Sequence, residues 1–342
     1  TTEETNNPNY ITAPSAQWNG GTSDWSLATN WYSGAVPTSS QAIVIPESTT
    51  PPTISSTESV ASITIEQGGS LTIATDGSLS VSGNFVIEGD ANGSGSLLVE
   101  GSGSLSVSGS SIFNRYIPSG GYHYVSNPTN GTDIMQFYGF YADGWNESSA
   151  SWVALDGNST INSLQGYSIK YNSQSQTIDF TGTFNNGSQS TSVTNSNTGN
   201  ESYGWNLVGN PYPSAIDWDA SSGWTRNNIN ATAYFYNGSG YVDYNYSTGS
   251  GTAASSIIPA GQGFFILVEG TSSTTLAMTN DVRVNSPSTD FYKSKNQAPH
   301  MAVKISNEFE QDQTTIAFYP NATDEYDRII DGYKLFGWST NL

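Results

Sequence analysis

The chain contains no cysteine, which excludes a disulfide framework and any thiolate metal site. Cations are nearly as scarce: Lys and Arg together number 9 against 29 Asp and Glu, a formal net charge of -20. Such a surface repels polyanions and lacks the Lys/Arg contacts that displace phosphate counterions, so neither nucleic acid nor an anionic membrane is an expected partner. No apolar run approaches the ~18 residues a membrane helix needs, so no transmembrane segment is expected. The opening "TTEETNNPN" has neither a basic nor an apolar leader segment, and any signal peptide is expected to have been removed already. Helical periodicity longer than two turns is absent. So are G-x-S-x-G, H-E-x-x-H and a complete G-x-G-x-x-G.

What the chain has is aromatic side chains and alternation. Its 342 residues include 20 Tyr, 13 Phe and 9 Trp, enough to fill β-type cores in two or three domains. The stretch "ASITIEQGGSLTIATDGSLSVSGNFVIEG" alternates small polar residues with Ile, Leu, Val and Phe between glycine turns. That is the pattern of strands with one buried face. The expectation is an all-β protein: a short N-terminal β-solenoid followed by a duplicated antiparallel β-sandwich region.

Two repeats support this division. Gly-Ser-Leu recurs at Gly69-Ser70-Leu71, Gly77-Ser78-Leu79, Gly95-Ser96-Leu97 and Gly103-Ser104-Leu105, a unit of roughly 26 residues within the range of stacked coils. The pairs Leu71/Ile73, Leu79/Val81, Leu97/Val99 and Leu105/Val107 are then expected inside, with Ser and Thr facing water, in a solenoid over 40–113; the competing arrangement is an antiparallel meander. Further on, "GYHYVSNP" (121–128) matches "GWNLVGNP" (204–211), "LQGYSIKY" (164–171) matches "GQGFFILV" (261–268), "TIDFTG" (177–182) matches "TLAMTN" (275–280), and "ASWVAL" is set against "AYFYNG". The boundaries expected are a polar arm over 1–16, a Trp-rich cap and solenoid over 17–114, the duplicated region over 115–296 with repeats near 121–182 and 204–280, and a further β module or final strands over 297–342.

The aromatic-rich stretch at 204–218 therefore reads as a structural element. Trp205, Leu207 and Val208 form a strand entering the core, with Trp205 expected nearly buried; Asn210 and Pro211 make the turn that ends it; Trp218 and Trp224 pack over the domain edge. Trp18, Trp25 and Trp31 are positioned to cap the first coil, and the sandwich entered at Arg115 to cover the last.

Catalytic vocabulary is thin. His123 occupies the strand position that Asn206 holds in the second copy, and His300 falls in an expected linker; the expectation is no catalytic residue and no enzymatic activity. Glycoside hydrolysis needs only two carboxylates, and Asp217 and Asp219 flank Trp218, yet a loop pair is the preferred reading. Calcium is the one cofactor the chain accommodates, at Asp217/Asp219 or at Asp324, Asp327 and Asp331 beside Glu325, because it takes six to eight oxygens; neither stretch matches the EF-hand loop, and no cofactor is required. Sugar stacking is assigned to Tyr236, Tyr241, Tyr244 and Tyr246. Sequons such as Asn146, Asn158, Asn230 and Asn237 indicate surface loops.

"WNGGTSDWSLATNWYSGAVP", the Gly-Ser-Leu coil, "RYIP" at 115–118, "GWNLVGNPYPSAIDW", "IPAGQGFFI" and "NATDEYDRIIDGYKLFGW" together resemble the large secreted surface proteins of Bacteroidota. In that family these blocks precede further β modules and a C-terminal sorting domain read by the type IX secretion system. The resemblance implies an extracellular, surface-displayed protein and a sequence that is part of something longer. The function expected first is a secreted, non-enzymatic, adhesin-like or fibre-forming module that self-associates through its N-terminal arm. A carbohydrate-binding module contacting surface glycans is the alternative, and an undetected glycoside hydrolase the third.

Overall fold

The computed structural model describes residues 16–171, 174–200, 202–238, 240–253, 255–285, 300–306, 311–318, 323 and 325–333. It is all-β, with a solenoid of about three turns followed by two antiparallel units of the same design. The solenoid has three parallel faces. The first stacks Ala42–Ile45, Ser62–Ile65, Phe85–Ile87 and Ser111–Ile117; the second stacks Thr53–Ile54, Ser70–Ile73 and Ser96–Val99; the third stacks Thr57–Val60, Ser78–Val81 and Ser104–Val107. Leu71 lies beside Leu97 and Leu79 beside Leu105, which is the step read from the Gly-Ser-Leu repeat. Parallel pairing at this register excludes the meander.

Most of the expected inner pairs are fully enclosed, from Leu71 and Ile73 to Leu97 and Val99. The outer positions differ from expectation on the second face. Ser70, Thr72, Ser96 and Leu98 are buried there, because the second antiparallel unit lies on them. Leu97 N–H donates to Pro213 O at 2.9 Å, Arg283 Nη2 donates to Leu97 O at 2.6 Å, and Asn285 bridges Ser96 Oγ and Thr72 Oγ1.

The tryptophan cap forms at the opposite end. Trp18, Trp25 and Trp31 are each at most 2% exposed, with Trp31 edge-on to both others at 5.1 and 4.7 Å. Ala16 to Trp18 runs along Val44, and Ser23 to Trp25 along Thr53, so two of the three faces of the first coil are continued by the cap.

The boundary expected between 114 and 115 falls inside a strand. Ser111–Ile117 pairs in parallel with Phe85–Ile87 and antiparallel over its whole length with Gln176–Gly182. It is at once the start of a fourth coil and the first strand of the first unit, and Phe113 and Ile117 belong to one core continuous with Leu79 and Ile87.

Each unit pairs its first strand with its last and carries a four-stranded antiparallel sheet between. In the first unit the sheet order is His123–Ser126, Gly166–Lys170, Tyr141–Asn146, Ser151–Ala154; in the second it is Trp205–Gly209, Gly263–Leu267, Thr232–Tyr236, Tyr241–Asn245. The outer pair of the second unit is Gln189–Thr194 with Ser273–Met278. The register is also shared: Ser126 faces Gly166 as Gly209 faces Gly263. One part of the sequence alignment is corrected by this topology. "AYFYNG" belongs to the third strand in sheet order and corresponds to Tyr141–Asn146, whereas Ser151–Ala154 corresponds to Tyr241–Asn245. Both arms of each hairpin are aromatic and alternating, so the pattern alone could not choose between them.

Beyond the second unit, the hairpin of His300–Ser306 and Gln311–Ala317 pairs antiparallel, so His300 opens a strand where a linker was expected. Residues 325–333 return to the second unit, where Asn245 Nδ2 donates to Ile329 O at 3.1 Å and Tyr326 Oη to Glu269 Oε1 at 2.8 Å. The N-terminal arm, 1–15, lies outside the described residues.

Candidate binding site

The two four-stranded sheets pack face to face about a pseudo-two-fold axis. Ser126 N–H donates to Gly261 O and Gly209 N–H to Leu164 O, each at 3.0 Å; Val125 bridges to Gln262 and Val208 to Gln165. Equivalent residues make equivalent contacts in both directions, as in an isologous interface. Tyr124, Leu207, Tyr234 and Phe265 are buried in this seam, ringed by Trp145, Trp205, Tyr236 and Tyr241. Strand alternation explains a miss: Val208 points into its own sandwich, while Trp205 and Leu207 point the other way into the seam. Trp205 is therefore half-buried, not enclosed. Trp218, expected at an edge, is 0% exposed in the second core.

The asparagine of each Asn-Pro turn is fully buried and makes two hydrogen bonds of the same kind as its counterpart's. Asn127 Oδ1 accepts from Thr129 N and Asn210 Oδ1 from Tyr212 N, both at 2.9 Å; Asn127 Nδ2 donates to Gly131 O and Asn210 Nδ2 to Ser214 O. These side chains satisfy the backbone of buried loops, so the motif is structural.

Three arginines lie in this part of the chain, and two are engaged by several groups each. Arg283 donates to Ser214 Oγ, Asn186 Oδ1, Asn280 Oδ1 and Leu97 O, and its guanidinium sits 4.7 Å over the Tyr212 ring. Arg226 donates to Trp218 O, stacks 3.3 Å over Tyr246 and lies near Asp219 and Asp217. Among the described residues the third, Arg115, makes one hydrogen bond: Nη2 to Gln262 Oε1 at 3.3 Å. Its Nε is buried with no hydrogen-bond partner. Burial lowers this guanidinium to about 10, which leaves it charged at neutral pH.

Arg115 lines a cavity of about 320 Å³ where three parts of the chain meet. The solenoid contributes Asp90 and Ala91, the first unit Tyr116, Ile117 and His123, and the second Tyr236, Asn237 and Gln262. Gln262 is held by its own backbone, Nε2 donating to Gly263 O at 2.8 Å, which aims Oε1 at Arg115. Asp90 is exposed and turned onto Asn92, whose backbone N–H donates to it at 2.7 Å. Burial lowers the His123 imidazole below its usual value, helped by the Arg115 charge and opposed by its contact with Gly120 O, so His123 is neutral at pH 7.

The tyrosines chosen from sequence separate. Tyr236 reaches the cavity. Tyr241 shares a hydroxyl contact with Tyr124 at 2.7 Å inside the seam. Tyr244 is buried and donates to Asp219 Oδ2 at 2.6 Å, so it cannot stack a ligand at the surface, and Tyr246 carries Arg226. The sequence reading missed a different row. Lys170 pairs with Tyr141 on the adjacent strand, and Tyr122, immediately before the strand His123–Ser126, lies on the other side of Lys170, with Tyr141 64% and Tyr122 37% exposed and Lys170 Nζ 5.2 Å from the Tyr122 ring. Tyr122 and Lys170 are the first-copy equivalents of Trp205 and Leu267, and a polar residue replacing an apolar one was the available signal.

The acidic loops act on the chain itself. Asp217 Oδ1 accepts from Asp219 N; Asp327 Oδ1 accepts from Ile329 N and Asp331 Oδ2 from Asp327 N, which closes a turn. Asp324 lies outside the described residues. Among the described residues no group of three or more His, Asp or Glu side chains converges as a metal site, and none of the described helices is long and apolar enough to cross a membrane.

Fold and junction define an all-β solenoid-and-sandwich protein with Arg115, whose buried Nε has no hydrogen-bond partner among the described residues, in a shared cavity. Residues 17–342 match the family described as a domain of unknown function (DUF8693), and the chain belongs to that family. No curated protein matches it, and no solved structure does.

Proposed function

We propose that the protein is a secreted, non-enzymatic structural module of a cell surface or extracellular matrix, whose copies join by strand addition to the solenoid. The carrying observation is the unequal sealing of its last coil. The first face continues into Ser111–Ile117 and the second is covered by Pro213 and Arg283, whereas Ser104–Val107, the last strand of the third face, pairs on one side only among the described residues. Leu105 and Val107 are only half-buried there, while Leu79 and Val81 one coil earlier are at most 1% exposed. This corrects the expectation that the sandwich covers the whole coil end.

Ser104 and Ser108 donate inward to Gly77 O and Val81 O, so alternation turns the N–H groups of Leu105 and Val107 outward. Between Gly103 and Ser110 there is no charge and no proline, the devices that protect edges. The arm offers a short segment, Asn9 to Ala13 between Pro8 and Pro14, whose Tyr, Ile and Thr favour an extended chain and suit a donated strand. The resemblance to secreted surface proteins supports the extracellular setting. Light scattering and electron microscopy of the intact chain, a form lacking residues 1–15 and Val107→Pro test the reading. Val107→Pro removes only an outward donor; assembly is expected in the first alone. Monomers from all three, or equal assembly by all three, would sink it.

The exposed Tyr122–Lys170–Tyr141 row supports a second reading, glycan binding by stacking on the tyrosine faces. Binding on a glycan array that is lost in Tyr122→Ala/Tyr141→Ala is the expected result.

A further inference from the structure

We propose that the cavity at the three-way junction is a binding site for the terminal acidic residue of an oligosaccharide, whose carboxylate is gripped by Arg115. The inference rests on the second reading, glycan binding, and adds to it a separate site and a sugar class.

The three arginines supply the argument. A buried guanidinium carries five N–H donors, and leaving such donors unpaired is costly. Arg283 spends its donors on four protein oxygens and Arg226 lies among aromatic rings and carboxylates, so both are explained by the fold. Among the described residues Arg115 has a single acceptor at 3.3 Å and an enclosed Nε with none, in a chain where carboxylates outnumber cations threefold. An available counter-ion has not been placed there. The enclosed Nε is out of a ligand's reach, so what fits the end of the fork that lines the cavity is a planar anion accepting from the two Nη groups, and a carboxylate does so in bidentate fashion.

The walls narrow the class. The volume, about 320 Å³, lies at the small end of ligand pockets and suits one ring. Tyr116 and Tyr236 offer faces for the C–H side of a sugar, and the amides of Gln262 and Asn237 offer donors and acceptors for hydroxyls. His123, neutral at pH 7, adds a further polar contact. Asp90 at the solenoid wall is the one carboxylate, and Asn92 engages it. The net charge of -20 opposes the approach of a long polyanion, which favours a single terminal acid.

Isothermal titration of the intact protein with a disaccharide ending in glucuronate, and with its glucose-ending counterpart, tests this. The acid should bind at least tenfold tighter than the neutral sugar, and Arg115→Gln should erase the difference with an unchanged melting temperature. Should Arg115→Gln unfold, Arg115→Lys keeps the charge without the fork, and a tenfold loss is expected. Equal binding of both sugars, an unchanged acid affinity in the arginine variant, or an equal affinity for a peptide carboxyl terminus would overturn the proposal. Neutral-glycan binding that depends on Tyr122 and not on Arg115 would remove the proposal and leave the glycan reading standing; no glycan binding at all would remove both.

Discussion

At the scale of single residues, the molecule uses buried polar groups as connectors between its parts. Glu147, at the end of a strand in the first unit, is 8% exposed and reaches into the second, where it accepts from Gly204 N at 2.8 Å, Thr194 Oγ1 at 2.9 Å and Ser196 N at 3.0 Å. Burial alone would raise its carboxyl, but these hydrogen bonds outweigh burial and hold it below the usual carboxylate range. Hydrogen bonds to a charged group contribute about 1.5–3 kcal/mol each against neutral alternatives, so Glu147→Gln should destabilise the fold by about 2 kcal/mol in chemical denaturation. Linkage gives a second readout. The depressed folded value means that the unfolded chain binds the proton more readily, so the stabilisation is complete above the ordinary glutamate value and is lost as pH falls through the folded one. In the variant that segment of the acid limb should flatten; an acid limb identical to that of the parent would mean that Glu147 does not hold the units together.

At the scale of strands and turns, most of the architecture was legible because alternation and repetition are local signals. Leu71 and Leu97 announce their adjacency through identical neighbours, and the matching "VSNP" and "VGNP" turns announce the duplication. What was not legible is which side of a strand meets another unit: Trp205 and Trp218 are both aromatic and lie thirteen positions apart, yet one faces a seam that exists only once both copies have folded. In the sequence Arg115 marks only the entry to the sandwich, since nothing in "RYIP" says that its Nε is enclosed without a partner. The two copies differ where they touch, and the differences are complementary. A Cβ on Gly209 would lie 2.1 Å from Ser126 Cβ, so the first copy's serine fills what the second copy's glycine leaves open, and its hydroxyl donates to Asn210 O at 2.7 Å. Gly209→Ser should therefore cost about 1–3 kcal/mol by overpacking. Pseudo-symmetry predicts that the exchange Ser126→Gly with Gly209→Ser recovers most of that loss, which a double-mutant cycle would read as a coupling energy of opposite sign. Simple additivity of the two would mean that the seam is not symmetric in the way its hydrogen bonds indicate.

At the scale of the whole chain, the solenoid is held to the two units by different means. Its core runs into the first unit through Ser111–Ile117 without interruption, whereas the second unit has its own core and reaches the solenoid through a polar contact centred on Arg283. Removing that side chain strands the buried Leu97 O and Ser214 Oγ, whereas Asn280 Oδ1 keeps the Gly187 N–H and Asn186 is exposed; orphaned buried acceptors cost more than the bonds they lose. Arg283→Met preserves bulk over the Tyr212 ring and should still destabilise the protein by about 3 kcal/mol. The loss should be local before it is global. Leu97 N–H is protected because Pro213 O accepts from it, so its amide should exchange much faster in the variant. Leu71 lies one coil away between Thr53–Ile54 and Ser96–Val99 and keeps its ladder partners, so its exchange should change far less. Exchange that rises equally at both positions would show that the solenoid and the second unit unfold as one body, and the polar contact at Arg283 would then be incidental to their docking.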